Sequence, residues 1–189
     1  MKNMNIHQIW IGDNPPPYNI KKYINSIKKH NNSYKHILWN NRMVMREFPD
    51  EYKFIKQNIT PTFVSNILRF KILHKYGGWY IDADFYAIDS LNRLSVNHTI
   101  PVLVESDIND LRYSNGTMFF PVGYNFDFIL NGYYPDRPMI RRWNQIVDKH
   151  ILKKQYIGNN YIGENGSILV DTKMRSFARH INNNTEVAK

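Results

Sequence analysis

The sequence predicts an α/β domain, a mixed and mostly parallel sheet flanked by helices. Three observations carry that expectation. The chain opens in the order strand, helix, strand, which is the start of a βαβ unit. A helix with marked ends then runs through Gly77-Gly78 straight into an apolar strand. Further apolar runs of strand length follow, bounded by turn residues. The 189 residues suffice for one domain with its own core, expected over residues 1–181, with a polar tail at 182–189.

The elements follow in order. "MNIHQIWIG" (Met4 to Gly12) is the first strand and ends in a Gly-Asp-Asn-Pro turn. In "NIKKYINSIKKHN", Ile20, Tyr23, Ile24 and Ile27 recur at helical spacing with lysines outside. "YKHILWN" (Tyr34 to Asn40) is the second strand, and residues 41–58 read as helix broken at Pro49. The next helix has Thr60 as N-cap, Pro61 in its first turn and Gly77 beyond its end. "WYIDADFYAI" reads as one strand, followed by a turn at Asp89 and Ser90, then strands over Thr99 to Glu105 and Gly116 to Val122. "RPMIRRWNQIVDKHILKK" is a helix with Pro138 near its start, and "YIGENGSILV" is a glycine-punctuated loop entering a last element.

Composition narrows the function classes. Apolar residues make up 42% of the chain and aromatics 14%, ordinary for a folded protein. There is no cysteine, so disulfides and Cys-ligated zinc are excluded. The N-terminal residues carry no signal-peptide pattern and no apolar run approaches a membrane span, so the expected location is the cytoplasm, or the host cytoplasm if the source is viral. The net charge of +9 is spread over scattered lysines. It reads as a solvated surface, or as one suited to an anionic ligand or to peripheral association with an anionic membrane.

The informative stretch is "GGWYIDADFYAI". On a strand, Trp79, Ile81, Ala83, Phe85 and Ala87 share one face, and Tyr80, Asp82, Asp84 and Tyr86 share the other. The carboxylates then sit about 7 Å apart, closer if the strand ends between them. Like charges so placed repel. Sharing a proton, pairing with Arg or Lys, or binding a divalent cation would each relieve them, and hard oxygen ligands suit Mg2+ or Mn2+. The plainer alternative has Asp82 capping a turn and Asp84 paired with a lysine. On the preceding helix, at about 100° per residue, Ser65, Asn66 and Arg69 occupy one arc. Arg69 is thus a cation on an apolar helix, with a salt bridge to Asp82 or Glu105 as its plain structural role. Trp10 on the first strand is a core residue unless something else claims it.

"IHQIWIG", "ILWN" and "FVSNILRFKILHKYGGWYIDADFYAIDSL", in that order, resemble the DxD sugar-binding region of glycosyltransferases of the yeast initiating α-mannosyltransferase and capsular-polysaccharide transferase type, which is related to the glucosylating domains of large clostridial toxins. The resemblance is strongest over Phe63 to Leu91 and weaker over residues 5–170. It implies a GT-A-like, Rossmann-like fold and a retaining transfer of a hexose from a UDP- or GDP-linked donor to a glycan or protein acceptor. It implies that Asp82 and Asp84 hold the metal and diphosphate and that Trp10 stacks on the base. Ile9, Ser65, Asn66, Arg69, Tyr80 and Asn115 would line the donor site, with Arg69 and the two aspartates as the catalytic set. Glu164, Asn165 and Ser167, in a weak echo of a later family segment, would serve the acceptor or the metal. One departure stands out: relatives carry Asp after the helix serine, and this chain has Asn66.

Three rivals compete with an enzyme of that type. A catalytically weak nucleotide-sugar or glycan binder of the same fold is motivated by Asn66. A dehalogenase-like phosphatase also uses DxD, but Phe85 and Tyr86 stand where it needs Thr or Val. Nucleic-acid binding has the net charge behind it but no basic-aromatic module.

Overall fold

A computed structural model describes residues 4–57, 59–105, 113–130, 140–151, 153–157 and 169–171. Their elements are β1 (Asn5–Ile9), α1 (Tyr18–His30), β2 (Lys35–Trp39), α2 (Asn41–Glu47), α3 (Pro49–Lys56), α4 (Pro61–Tyr76), β3 (Gly78–Ile81), β4 (Phe85–Ala87), β5 (Val102–Glu105), β6 (Tyr113–Phe120), α5 (Asp127–Leu130), α6 (Ile140–His150), β7 (Gln155–Ile157) and β8 (Leu169–Asp171). A short 3-10 turn lies at Leu91–Arg93. Among the described residues the main sheet has the order β2-β1-β3-β6-β5-β7, and β4 pairs with β8 in a separate ribbon. The β1–β2, β1–β3 and β5–β7 pairs are parallel, while β6 runs antiparallel to β3 and β5.

Alternation along the central strands builds two apolar layers. Trp79 and Ile81 of β3, Val102 and Val104 of β5 and Phe119 of β6 pack on one face with Ile27 of α1 and Phe85 and Ala87 of β4. Tyr80, Leu103, Met118 and Phe120 pack on the other, under Val44 of α2, Val64 and Leu68 of α4, and Trp143 and Val147 of α6. The covered faces explain why these strands are apolar on both sides. Ala87 N–H donates to Ser26 Oγ at 2.8 Å and fixes the ribbon to α1.

The termini of α4 follow the sequence reading. Thr60 Oγ1 accepts from Phe63 N–H, Pro61 occupies the first turn, and Gly77 N–H returns to Leu73 O. Gly77 and Gly78 both adopt positive φ, and a Cβ on either would meet backbone of Val122 or Asn5 at 2.5 Å. The pair is therefore required where helix turns into sheet. The break at Pro49 is also present, with the proline in the first turn of α3.

One expectation fails. Trp79 to Ile88 is not a single strand, because β3 ends at Ile81 and the chain turns through Asp82-Ala83-Asp84. Asp82 N–H donates to Gly116 O at 2.7 Å, and Phe85 N–H then reaches back to Asp82 O at 3.2 Å. Turn-forming aspartates make this closure cheap, and β4 leaves for β8 on the far side of it. Strand edges also shift: β5 begins at Val102, and β6 starts earlier than expected, at Tyr113. Helix α5 and strand β7 were not read from the sequence. The expected loop before β8 and the tail at 182–189 lie outside the described residues.

Candidate functional site

A cleft of about 350 Å3 opens where β1 and β3 end. This is the carboxyl edge at which open α/β sheets hold ligands. Its walls come from four segments. Ile9, Trp10 and Ile11 follow from β1, with Ile20 of α1 beside them. Pro61, Thr62, Ser65 and Arg69 come from one side of α4. Asp82, Ala83 and Asp84 come from the turn after β3. Of the residues singled out in the sequence, Ile9, Trp10, Ser65, Arg69, Asp82 and Asp84 thus line one cavity.

Trp10 is half-buried and belongs to this wall rather than to the core. Its backbone N–H donates to Trp39 O at 2.8 Å and its indole Nε1–H to Asn14 O at 3.0 Å, so the ring is held at both ends. The loop beyond it is clamped by Asn41, which accepts from Gly12 N–H at 2.9 Å and donates to Gly12 O at 3.1 Å. Ser65 Oγ donates to Thr62 O at 2.9 Å.

Arg69 is only 3% exposed. Its Nη1–H donates to Asn115 O at 2.5 Å, and its Nη2–H donates to Asn66 Oδ1 at 2.7 Å and lies 3.4 Å from Asp82 Oδ1. Its guanidinium stacks over the Tyr80 ring at 4.7 Å. A buried cation is tolerable only with such compensation. The salt bridge to Asp82 that the sequence allowed is therefore present, and the same guanidinium also reaches the cleft wall.

Tyr80, Asn66 and Asn115 stand behind the wall rather than on it. Tyr80 is fully buried, and its hydroxyl donates to Asp82 Oδ1 at 2.7 Å. Burial holds its phenol well above the usual range, against the pull of Arg69, so it stays a proton donor to that carboxylate. Asn115 contributes its main-chain carbonyl to Arg69, and Asn66 its amide oxygen. Glu164, Asn165 and Ser167 lie outside the described residues.

Two contributors escaped the sequence reading. Gly116 is one: a Cβ there would sit 2.7 Å from Asp82 Oδ2, so only glycine lets β6 approach the carboxylate. A glycine inside an apolar strand is the available signal. The other is a polar pair in β1. His7 is fully buried; Trp39 Nε1–H donates to its Nδ1 at 3.1 Å, which leaves Nε2–H to donate to Gly77 O at 2.9 Å. Burial depresses its pKa to about 4, the Gly77 bond opposing and His36 and Lys35 assisting. Gln8 beside it is also fully buried and reaches Asp82 O. Two polar residues within "IHQIW" were the hint.

Comparison with known proteins places this architecture among GT-A-like glycosyltransferase folds. The PaToxG glycosyltransferase superposes with a TM-score of 0.51 at 21% identity, covering 80% of this chain and 64% of that one. A glycosyltransferase involved in glycosylation of the major capsid of PBCV-1 superposes with a TM-score of 0.56 at 10% identity, covering 88% and 93%. The apo form of the glycosyltransferase GlyE of Streptococcus pneumoniae TIGR4 gives 0.52 at 11% identity, covering 85% and 46%. The chain therefore spans 64% of the length of the first of these structures and 46% of the third. Residues 17–101 match the family described as the glycosyltransferase sugar-binding region containing a DXD motif, and that match spans α4 and the turn with Asp82 and Asp84. No curated protein matches the chain in sequence.

Proposed function

We propose that the protein is a glycosyltransferase that moves a hexose from a UDP- or GDP-linked donor to a glycan or protein acceptor, with Mn2+ or Mg2+ and with retention at the anomeric carbon. The observation that carries this reading is the single cleft that gathers Trp10, the α4 wall and the Asp82–Asp84 turn inside the matched region. The spacing of Ser65, Arg69, the Gly77-Gly78 pair and Asp82-Asp84 resembles that of the yeast initiating α-mannosyltransferase and capsular-polysaccharide transferase type.

The donor set fits a hard cation. Two carboxylates border the cleft, and among the described residues no cluster of three or more His, Cys, Asp or Glu side chains completes a cage. That suits an ion taking its remaining ligands from a substrate diphosphate. Bound there, it would neutralise charge growing on the leaving diphosphate.

The remaining work falls to the chain's own residues. Trp10, Ile9, Ile11, Ile20 and Pro61 form an apolar slot for a planar base. The hydroxyls of Thr62 and Ser65 offer acceptors and donors to ribose or sugar oxygens. Tyr80 and Arg69 hold the Asp82 carboxylate so that it need not reorganise when donor arrives. The acceptor oxygen attacks from the face the diphosphate leaves, and the departing phosphate takes its proton.

The test is a screen of nucleotide sugars for hydrolysis with Mn2+. Release of sugar from a UDP- or GDP-hexose, abolished by EDTA and by Asp84→Asn, is expected. Donor binding without any turnover would instead favour a nucleotide-sugar binder of the same fold. The observation behind that second reading is Asn66, an amide committed to Arg69 at the position where the resembled family usually carries Asp.

A further inference from the structure

The sheet loses one of its ladders just where the cleft begins. Strand β1 pairs with β3 at Ile6 and Trp79 and at His7 and Tyr80, and the carboxylate turn starts two residues later at Asp82. On the other flank the main chain of β6 continues the support, Gly116 O accepting from Asp82 N–H at 2.7 Å. On the β1 flank a side chain takes over. Gln8 Nε2–H donates to Asp82 O at 3.3 Å. Its own amide is oriented from the next strand, where His36 Nε2–H donates to Gln8 Oε1 at 2.8 Å. The tautomer follows, since an amide oxygen can only accept.

A fully buried carboxamide is costly unless both of its ends are satisfied. Here both ends are, and the polar chain ends on the residue whose carboxylate borders the cleft. We infer that Gln8 is a positioning residue for the cation half of the donor site. It fixes the peptide of Asp82 and, through it, the direction in which the Asp82 and Asp84 carboxylates are presented. Gln8 is not among the residues lining the cleft, and its amide bonds go to Asp82 and His36 rather than to the slot of Ile9, Trp10, Ile11, Ile20 and Pro61, so the base half is expected to be left alone. The inference rests on the metal-dependent reading above.

The experiment measures nucleoside diphosphate affinity, UDP or GDP, with and without Mn2+ on the purified chain. The ratio of the two affinities is the metal enhancement. Wild type is expected to show at least a tenfold enhancement. Gln8→Leu, similar in volume and without the amide, is expected to cut that enhancement about fivefold while leaving metal-free affinity within twofold. Gln8→Met, a more adaptable filler, serves if the leucine variant does not fold and carries the same expectation. A general packing defect would lower both affinities together, and that result would overturn the inference. So would an unchanged enhancement in a folded variant. Absence of any enhancement in wild type would overturn the metal reading itself, and it is seen before any variant is compared.

Discussion

Replacing Gly116 by alanine places a methyl group against the Asp82 carboxylate and the Phe85 ring. The new Cβ would lie 2.7 Å from Oδ2, 3.2 Å from Phe85 Cε2 and 3.4 Å from Cγ of Asp82. Ordinary contact begins near 3.4 Å, so the carboxylate must retreat by roughly 0.7 Å. It cannot do so freely. Oδ1 is held by Tyr80 at 2.7 Å and faces Arg69 at 3.4 Å, while the peptide N–H is bonded to Gly116 itself. Overpacking of this kind costs about 1–3 kcal/mol of stability, partly offset by the loss of glycine's freedom in the unfolded chain. On the proposed metal-dependent reading the functional effect is sharper, because a carboxylate proposed to hold the cation would be displaced. Metal-dependent nucleotide affinity should fall about tenfold, which is about 1.4 kcal/mol. Calorimetric titration of UDP or GDP with and without Mn2+ reads this, and thermal unfolding reads the stability. A folded Gly116→Ala variant with full metal-dependent affinity would refute the reasoning, since Asp82 would then not be a ligand whose position matters.

Trp10→Ala should weaken nucleotide binding by about 1–3 kcal/mol, the usual worth of base–aromatic stacking, and nucleotide should quench Trp10 fluorescence in wild type. Asn66→Asp should raise turnover by about tenfold, because a carboxylate pairing with Arg69 would draw that guanidinium off Asp82 and leave Asp82 more charge for the proposed cation; steady-state hydrolysis with Mn2+ checks it, and a lower rate at matched affinity would show the amide to be an adapted part of the site. His7 and His36, both depressed to about 4 from about 6.5, bind more protons unfolded than folded between those values. Their contribution to stability is therefore complete above pH 6.5 and lost as pH falls through about 4, and His7 alone accounts for on the order of 3 kcal/mol. Thermal midpoints measured from pH 7.5 to 5, above most carboxylate titration, should fall in wild type and fall less in His7→Gln.

Much of the fold was legible because its signals are local. Thr60, Pro61 and Gly77 mark the ends of α4 by cap chemistry alone, and strict alternation assigns Trp79, Tyr80 and Ile81 to their faces. The turn at Asp82 was not legible. An aspartate at every second position reads the same in a strand as in a turn, and what draws the chain out of the main sheet beyond Asp82 is the pairing of β4 with β8, far along the sequence. The ribbon of β4 and β8 was hidden for the same reason, since its partners are more than eighty residues apart. In the site, residue types were readable but their ranks were not. Sequence spacing sets Ser65, Asn66 and Arg69 on one arc, yet Ser65 and Arg69 border the cleft while Asn66 stands behind it.

The placement of Arg69 decides how the site holds its charge. A cation in an apolar helix beside two carboxylates suggests a group waiting for phosphate. The geometry gives it a different first duty. Its Nη1 is committed to a main-chain carbonyl of β6, its Nη2 to an amide one turn back on α4, and its flat face to a buried phenol. Each of these partners is fixed by sheet or helix, so the guanidinium is fixed as well. Asp82 is what it holds, jointly with the Tyr80 hydroxyl that meets the same oxygen. The pair of carboxylates therefore faces the cleft with one member already oriented and its charge partly balanced. That lowers the repulsion between the two like charges of the turn.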